Sequence, residues 1–548
     1  MATNSAHVDS FAGDNLPPRE QWPEFRFTLP ALQYPARLNC VAELLDRHVA
    51  DGHGDRPCLI APGIEWTYAD LLDRVDRIAQ VLVRDFGLVP GDRVLLRSAN
   101  NPMMVASYLA ALKAGAVVVA TMPLLRAKEL AFMIEKARVR LAICDARLLP
   151  DLETAQAQAP APGLQHILTF GGGTEADLDA RMATVPGGFA AVDTAAEDIC
   201  LIGFTSGTTG VPKGTMHNHR DLLAICDAYS RQVLQPNESD RFIGSPPLAF
   251  TFGLGGLVLF PMRVGASTVL LERASPAELL DGIERFRPTI CFTAPTAYRA
   301  MLAQKPGRDL SSLRRCVSAG EALPAATYEA WRDATGIEIT EGIGATEMLH
   351  IFIASRPGAV RPGSTGTVVP GYEAKIVDDD FNELPAGEAG RLAVRGPTGC
   401  RYLADDRQRA YVQDGWNLTG DTYRRDADGY FWYQARSDDM IVSSGYNIAG
   451  PEVENALLTH PAVQECGVVG VPDPDRGQIV KAYVVLKPGH APDVATRKAL
   501  QDHVKAEIAP YKYPRAVEFL ERLPRTETGK LQRFQLRRMA TEAPAKAS

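Results

Sequence analysis

The residues Thr205-Ser206-Gly207-Thr208-Thr209-Gly210-Val211-Pro212-Lys213-Gly214 gather hydroxyls and glycines ahead of a single lysine. Glycines at 207, 210 and 214 let the backbone turn tightly and come close to a ligand. Backbone amides, hydroxyls and one ammonium in such a loop suit the oxygens of a polyphosphate. The apolar run Ile199-Cys200-Leu201-Ile202-Gly203-Phe204 before it reads as a buried strand, which a flexible linker would not need. The loop is not a Walker A motif, because Pro212 stands where the second glycine of that pattern is required.

Other segments carry chemistry of their own. Ser318-Ala319-Gly320-Glu321-Ala322-Leu323-Pro324 and Glu341-Gly342-Ile343-Gly344-Ala345-Thr346-Glu347-Met348-Leu349-His350 read as glycine-containing turns after strands, where α/β folds place ligands. Glu347 is an oxygen ligand suited to a Mg²⁺ carried by a nucleotide. Thr419-Gly420-Asp421 reads as the end of a β-rich stretch, and Asp421 can accept hydrogen bonds from two ribose hydroxyls. Near the C-terminus a polar loop holds Lys530 between Gly529 and Leu531, placed to deliver one cation into a cleft. The segment 246–256 mixes aromatics with glycines, which fits the wall of an apolar pocket or plain core packing. His217-Asn218-His219 finds no further ligands at metal spacing. Asp378 to Glu383 is not a calcium loop, since Glu383 occupies the glycine position; it reads as a hairpin turn between 373–377 and 390–395.

These residues need a scaffold. The 548 residues, 46% hydrophobic and 23% charged, suit a large core divided into more than one domain. A net charge of −8 argues against bulk nucleic-acid binding or an anionic-membrane surface. Nine scattered cysteines with no CxxC pair read as reduced, buried thiols of a cytoplasmic protein. The most apolar stretch, 103–125, is divided by Lys113 and Gly115 into a helix and a strand, so no membrane span is expected. Thr67, with Asp70 three residues on, reads as the cap of a helix whose stripe is Leu71, Val75, Ile78 and Leu82, stopped by Gly87. Strands at 93–96, 116–120 and 140–144 alternate with helices at 102–114 and 127–137, which predicts an α/β fold with a parallel sheet. Residues 1–40 read as an irregular arm and 158–190 as a surface excursion. At Asp438 the texture changes from β-rich to a small α+β unit. This divides the chain into 1–437 and a small domain, 438–548.

Five pieces in order resemble the adenylate-forming superfamily of acyl-CoA synthetases, adenylation domains and luciferases. They are the 205–214 loop, 342–347, Thr419-Gly420-Asp421, the 436–445 segment and the Lys530 loop. The resemblance covers nearly the whole chain. It implies two sheet-and-helix subdomains plus a β-subdomain, and a small mobile C-terminal domain. It also implies that Thr205, Ser206, Gly207, Thr208, Thr209 and Lys213 hold the ATP phosphates, while Gly320, Glu321, Ala322, Gly342 and Ile343 border the nucleotide. Thr346 would touch the α-phosphate, Glu347 would bind Mg²⁺, and Asp421 and Arg436 would hold the ribose. Asp438 would be the hinge, Gly445 would line the thiol tunnel for CoA, and Lys530 would be the catalytic lysine. The usual aromatic residue before the motif's second glycine is replaced by Ile343.

Within that superfamily, Gly342-Ile343-Gly344-Ala345-Thr346-Glu347-Met348-Leu349-His350 is most similar to the benzoate– and 2-aminobenzoate–CoA ligases. The resemblance places Phe250, Thr251, Phe252, Gly253, Leu254, Ile343, Gly344 and His350 around a short, flat acid pocket. The 246–256 segment holds no Asp or Glu, which disfavours an α-amino acid, whose buried ammonium would need a partner. The expected activity is ATP-dependent activation of 2-aminobenzoate and transfer to CoA, by a monomer or homodimer. Benzoate as the acid, or a carrier protein as the thiol, stays open, and a mere nucleotide sensor would not need Lys530.

Overall fold

Thr67 starts the helix Tyr68–Phe86 as expected: its side chain accepts from Asp70 N, and the Asp70 carboxylate accepts from Thr67 N. Such caps contribute about 1 kcal/mol. Leu71, Val75, Ile78 and Leu82 are fully buried, and Gly87 ends the helix in the left-handed region at φ +59°. The computed structural model describes residues 5–159, 163–205, 212–436, 439–443, 446–473, 476–525 and 530–542. Ser206, Gly207, Thr208, Thr209, Asp438 and Gly445 lie outside the described residues.

Among the described residues four sheets form. In the first, His166–Phe170, Leu141–Asp145, Arg93–Arg97, Val117–Thr121 and Ile199–Thr205 run parallel in that order, and Lys213–Asn218 closes the edge antiparallel to Ile199–Thr205. The alternation read from the sequence is this sheet. The reading of 158–190 as a plain excursion needs correction, because His166–Phe170 is its edge strand and Leu178–Met182 a short helix. Only Leu168 and Phe170 of that strand are buried, so an Ala/Gly/Pro-rich surrounding hid a weak period.

The second sheet is mainly parallel and contains Pro57–Ala61, Ser267–Val269, Arg241–Gly244, Ile290–Thr293, Arg315–Ser318 and Ile339–Gly344. A third, antiparallel sheet pairs Glu373–Val377 with Ala389–Arg395 as the predicted hairpin, then adds Trp416–Arg425 and Phe431–Arg436. Thr419-Gly420-Asp421 therefore lies inside a strand rather than at its end. Gly420 at φ +75° breaks the regular backbone there, which disguised the strand's continuation. The fourth sheet centres on Val463–Asp473 and Gly477–Leu486, covered by Gly450–Leu458, Val494–Glu507 and Arg533–Glu542, with its own core. All nine cysteines are free and buried. Among the described residues no helix is long and apolar enough to cross a membrane.

Candidate active site

The two large sheets, the β-sheet and the C-terminal unit face one cleft of about 2420 Å³. Thr205 and Lys213 are paired across the two strands, and both line the cleft. Thr205 Oγ1 is buried and finds no hydrogen-bond partner among the described residues, an orphan a ligand would satisfy. Gly203, one step back on the strand, has a reason of its own. A Cβ there would stand 2.9 Å from Thr346 Cγ2.

Thr346 and Glu347 follow the strand Ile339–Gly344 on a short 3-10 turn, Thr346–Met348. The sequence reading placed Gly342, Ile343 and Gly344 in a turn; they belong to the strand. Gly344 lines the cleft while Ile343 packs, partly buried, against the main core, and the pairing with Ile351–Ala354 shifts register between the two. Leu349 is buried at φ +66°, a left-handed conformation unusual for leucine, and it turns the chain back toward His350. Thr346 is fixed from behind: His217 Nε2 donates to Thr346 O at 2.7 Å, and Nδ1 faces Asp221 Oδ2 at 3.3 Å. Burial pushes the Asp221 carboxyl up, but Arg401 and His217 more than offset this and hold it below the usual carboxylate range. Lys213 Nζ donates to the Tyr402 hydroxyl at 2.7 Å, and that hydroxyl donates to Glu347 Oε1 at 2.6 Å.

Gly320, at φ +91°, and Glu321 border the cleft on the 318–324 loop. Leu323 N in that loop donates to Glu341 Oε1 at 2.8 Å, and burial pushes the Glu341 carboxyl up to about 8. Asp421 and Arg436 are cross-strand partners, with Arg436 Nη1 donating to Asp421 Oδ1 at 2.9 Å. Burial raises the Asp421 pKa despite Arg436. From the C-terminal unit, Lys530 reaches over the cleft, its Cε 3.6 Å from where a Cβ on Gly320 would be. Lys530 keeps solvent contact, yet the crowded mouth of the cleft lowers its pKa, against the pull of Glu321. Arg525 Nη1 lies 3.7 Å from Glu321 Oε1 and strengthens this junction.

At the other end, Phe250, Thr251 and Phe252 line the cleft at the start of the helix Thr251–Leu254. Asn100 staples the preceding turn, accepting from Leu248 N and donating to Pro246 O, both at 2.9 Å. Gly253 is required because a Cβ would meet Pro247 O at 2.1 Å. His350 lines the same end, ringed by Phe260 at 4.6 Å, Tyr229 at 5.6 Å and Phe252 at 5.8 Å between centroids. Burial pushes its pKa down to about 3, so the ring is neutral at physiological pH. Gly253, Leu254, Ala322, Gly342 and Ile343 do not line the cleft, although each flanks a residue that does or a segment that ends there. Sequence reasoning missed His217 as a support, and also Asp221, Glu341, Arg401 and Tyr402. His217 was weighed only as a metal ligand, Glu341 opens a glycine-containing segment but was given no role of its own, and Asp221, Arg401 and Tyr402 stand outside any glycine-rich signature.

The sequence profile of the AMP-binding enzyme family matches residues 46–402, and that of the AMP-binding enzyme C-terminal domain matches 452–530. The chain is an AMP-binding enzyme. Its relatives include a benzoate–CoA ligase from Thauera aromatica, 39% identical and aligned over 93% of this chain and 98% of that one. A solved anthranilate CoA ligase in complex with anthranoyl-AMP is 40% identical, with a TM-score of 0.89 over 93% of this chain and 99% of that one. A benzoate CoA ligase structure from Burkholderia xenovorans LB400 is 33% identical, with a TM-score of 0.84 over 91% of this chain and all of that one. The adenylate-forming fold and the reaction class follow. This AMP-binding enzyme is an AMP-forming aryl-acid–CoA ligase that uses ATP and CoA.

Proposed function

We propose that the aryl acid is 2-aminobenzoate, activated as its adenylate with release of pyrophosphate and then transferred to CoA. The observation that carries this reading is the character of the acid end of the cleft. Thr251 adds one hydroxyl to a wall of Phe250, Phe252 and a neutral His350. A neutral ring amine needs a hydrogen-bond acceptor and no carboxylate partner, which this pocket supplies without a charge. The similarity to an anthranilate CoA ligase supports the same choice.

The proposed roles follow the family resemblance, supported by the cleft position of Thr205, Lys213, Gly320, Glu321, Thr346, Glu347, Asp421, Arg436 and Lys530. Lys213, Thr205 and the 206–209 backbone and hydroxyls hold the phosphates; Gly320 and Glu321 border adenine, with Ala322 next to them outside the cleft lining; Asp421 and Arg436 take the ribose. Thr346 meets the α-phosphate. Glu347 suits magnesium, because a lone carboxylate beside phosphate oxygens is how this cation is commonly held, and no described cluster of His, Cys, Asp and Glu could hold a metal by itself. Bound there, Mg²⁺ would offset charge on the phosphoryl oxygens. Lys530 would bridge the attacking carboxylate and the α-phosphate, stabilising charge that spreads in the transition state. The thiol must later reach the same place, so the 438–548 unit would swing about Asp438 and Gly445 would leave room for the pantetheine arm.

The test is CoA-dependent AMP release with ATP, Mg²⁺ and a panel of benzoate, 2-aminobenzoate, hydroxybenzoates and phenylacetate. A preference for 2-aminobenzoate that falls toward benzoate in Thr251→Ala supports the reading. An unchanged ratio in that variant removes Thr251 from selectivity, and a wild-type preference for benzoate overturns the substrate assignment.

A further inference from the structure

Segment 400–403 lies directly behind Thr346 and Glu347. It runs beside Lys213–Asn218, with Met216 N donating to Arg401 O and Leu403 N donating to Gly214 O, both at 2.8 Å. Thr215 and Tyr402 form an antiparallel bridge. Neighbouring side chains of an extended segment point to opposite faces, and here the two faces serve the two residues of one dipeptide. Arg401 pairs with Asp221, which faces the histidine that holds the Thr346 carbonyl. Tyr402 points the other way and is fully buried.

The Tyr402 hydroxyl sits between opposite charges. It accepts from Lys213 and donates to Glu347, leaving the ammonium and the carboxylate 3.7 Å apart. Without it this pair would be free to close to the 2.7–2.9 Å of a direct charge-assisted hydrogen bond. A closed pair would turn the ammonium away from phosphate and occupy the carboxylate that a cation needs. A neutral bridge satisfies one oxygen and one N–H, and leaves the remaining capacity of both groups to the nucleotide. Burial, and then the adjacent Glu347, keep the phenol protonated far above its ordinary range.

We propose that Tyr402 is a positioning residue for adenylate formation, whose hydroxyl holds Lys213 and Glu347 apart and aimed at the phosphates and at the divalent cation they carry. The inference rests on the roles given to Lys213 and Glu347 above. Titration calorimetry of ATP into the full-length protein, once with Mg²⁺ and once with EDTA, tests it. Tyr402→Phe and Tyr402→Met are expected to bind ATP with Mg²⁺ on the order of tenfold more weakly, as for loss of a hydrogen bond to a charged group. Affinity in EDTA should fall less, and KM for CoA should not move. In a Glu347→Gln background Tyr402→Phe should add little, because coupled residues are not additive. Equal losses in both backgrounds, or a normal Mg²⁺ response in the Tyr402 variants, overturn the proposal. If both hydroxyl-free variants fail to fold, Tyr402 is a packing residue and the proposal also falls. If Glu347→Gln itself leaves the Mg²⁺ response intact, the underlying reading of Glu347 fails instead.

Discussion

Gly255 offers a clean way to disturb the acid pocket without touching a group that contacts substrate. A Cβ at this position would stand 2.4 Å from His350 Cδ2, 2.7 Å from His350 Nε2 and 3.2 Å from Phe260 Cζ. Favourable carbon contacts lie near 3.5–4.0 Å, so the imidazole must retreat by about 1 Å in Gly255→Ala. The ring cannot retreat freely, being wedged among Phe260, Tyr229 and Phe252. The open side is the cleft, which His350 already lines. The added methyl therefore becomes lost pocket space. Overpacking of this kind typically costs about 1–3 kcal/mol of stability. A misfit of methylene size in an apolar pocket changes discrimination by roughly 10–200-fold. The assay is KM for 2-aminobenzoate and for benzoate by CoA-dependent AMP release, with KM for ATP measured alongside. We expect the acid KM to rise within that range, more for the ring with the extra substituent, while KM for ATP stays put. An unchanged acid KM, or equal rises for acid and ATP, would refute the placement of His350 in the acid pocket.

The remaining predictions are shorter. Lys530→Ala should lower ATP–pyrophosphate exchange by about 10²–10³ with ATP binding retained, and an undiminished exchange rate would remove Lys530 from the adenylation step. Gly203→Ala should push against Thr346 Cγ2 from 2.9 Å and lower kcat more than it raises the acid KM; the reverse split would argue that Thr346 serves the acid and not the phosphate. Glu341 is raised from 4.5 to about 8, so the folded state holds a proton the unfolded chain has given up. Its stabilising effect is complete below the unfolded value and is lost as pH rises through the folded one. Melting temperatures of the parent should fall relative to Glu341→Gln between about pH 4.5 and 8 and run parallel above that; parallel curves throughout would sink this assignment. His350 is depressed from 6.5 to about 3, which gives stability that is complete above the unfolded value and lost as pH falls through that window. His350→Asn should flatten that part of the melting profile, and an equally steep loss in the variant would place the acid-sensitive group elsewhere.

What was legible in the sequence follows a physical division. Helices with a cap and a continuous stripe, such as Tyr68–Phe86, announce themselves through local rules. So do strands buried on both faces, such as Arg93–Arg97 and Leu141–Asp145. His166–Phe170 escaped because an edge strand buries only part of its surface and needs only part of a signal. Sheet membership was legible only where neighbours in the chain pair. Pro57–Ala61 precedes the strands of the six-stranded sheet in the chain but pairs with Ser267–Val269 in the other, a partner some two hundred residues away that no local period can report. At the site, residues that meet ligands stood out through glycine-rich signatures and resemblance. Ile343 lies in the signature yet packs, partly buried, against the main core, while its neighbour Gly344 lines the cleft.

The supporting layer was silent for a related reason. Catalytic groups must sit beside flexible, glycine-containing backbone, so their neighbourhood is unusual in composition. The groups that aim them need only one hydrogen bond each and an ordinary strand to stand on. Arg401 and Tyr402 show this in adjacent positions: one reaches Thr346 through Asp221 and His217, the other reaches Glu347 directly. Because the pair stands on a segment bonded to Lys213–Asn218, the same few residues set the distance between phosphate-loop lysine and metal-type carboxylate. Any movement of segment 400–403 therefore displaces both sides of the nucleotide site at once. A substitution that loosens it, such as Leu403→Ala at a fully buried position, should weaken ATP binding before it weakens acid binding. Equilibrium titrations of the two ligands would show the order, and a loss confined to the acid would mean that the segment does not set the phosphate geometry.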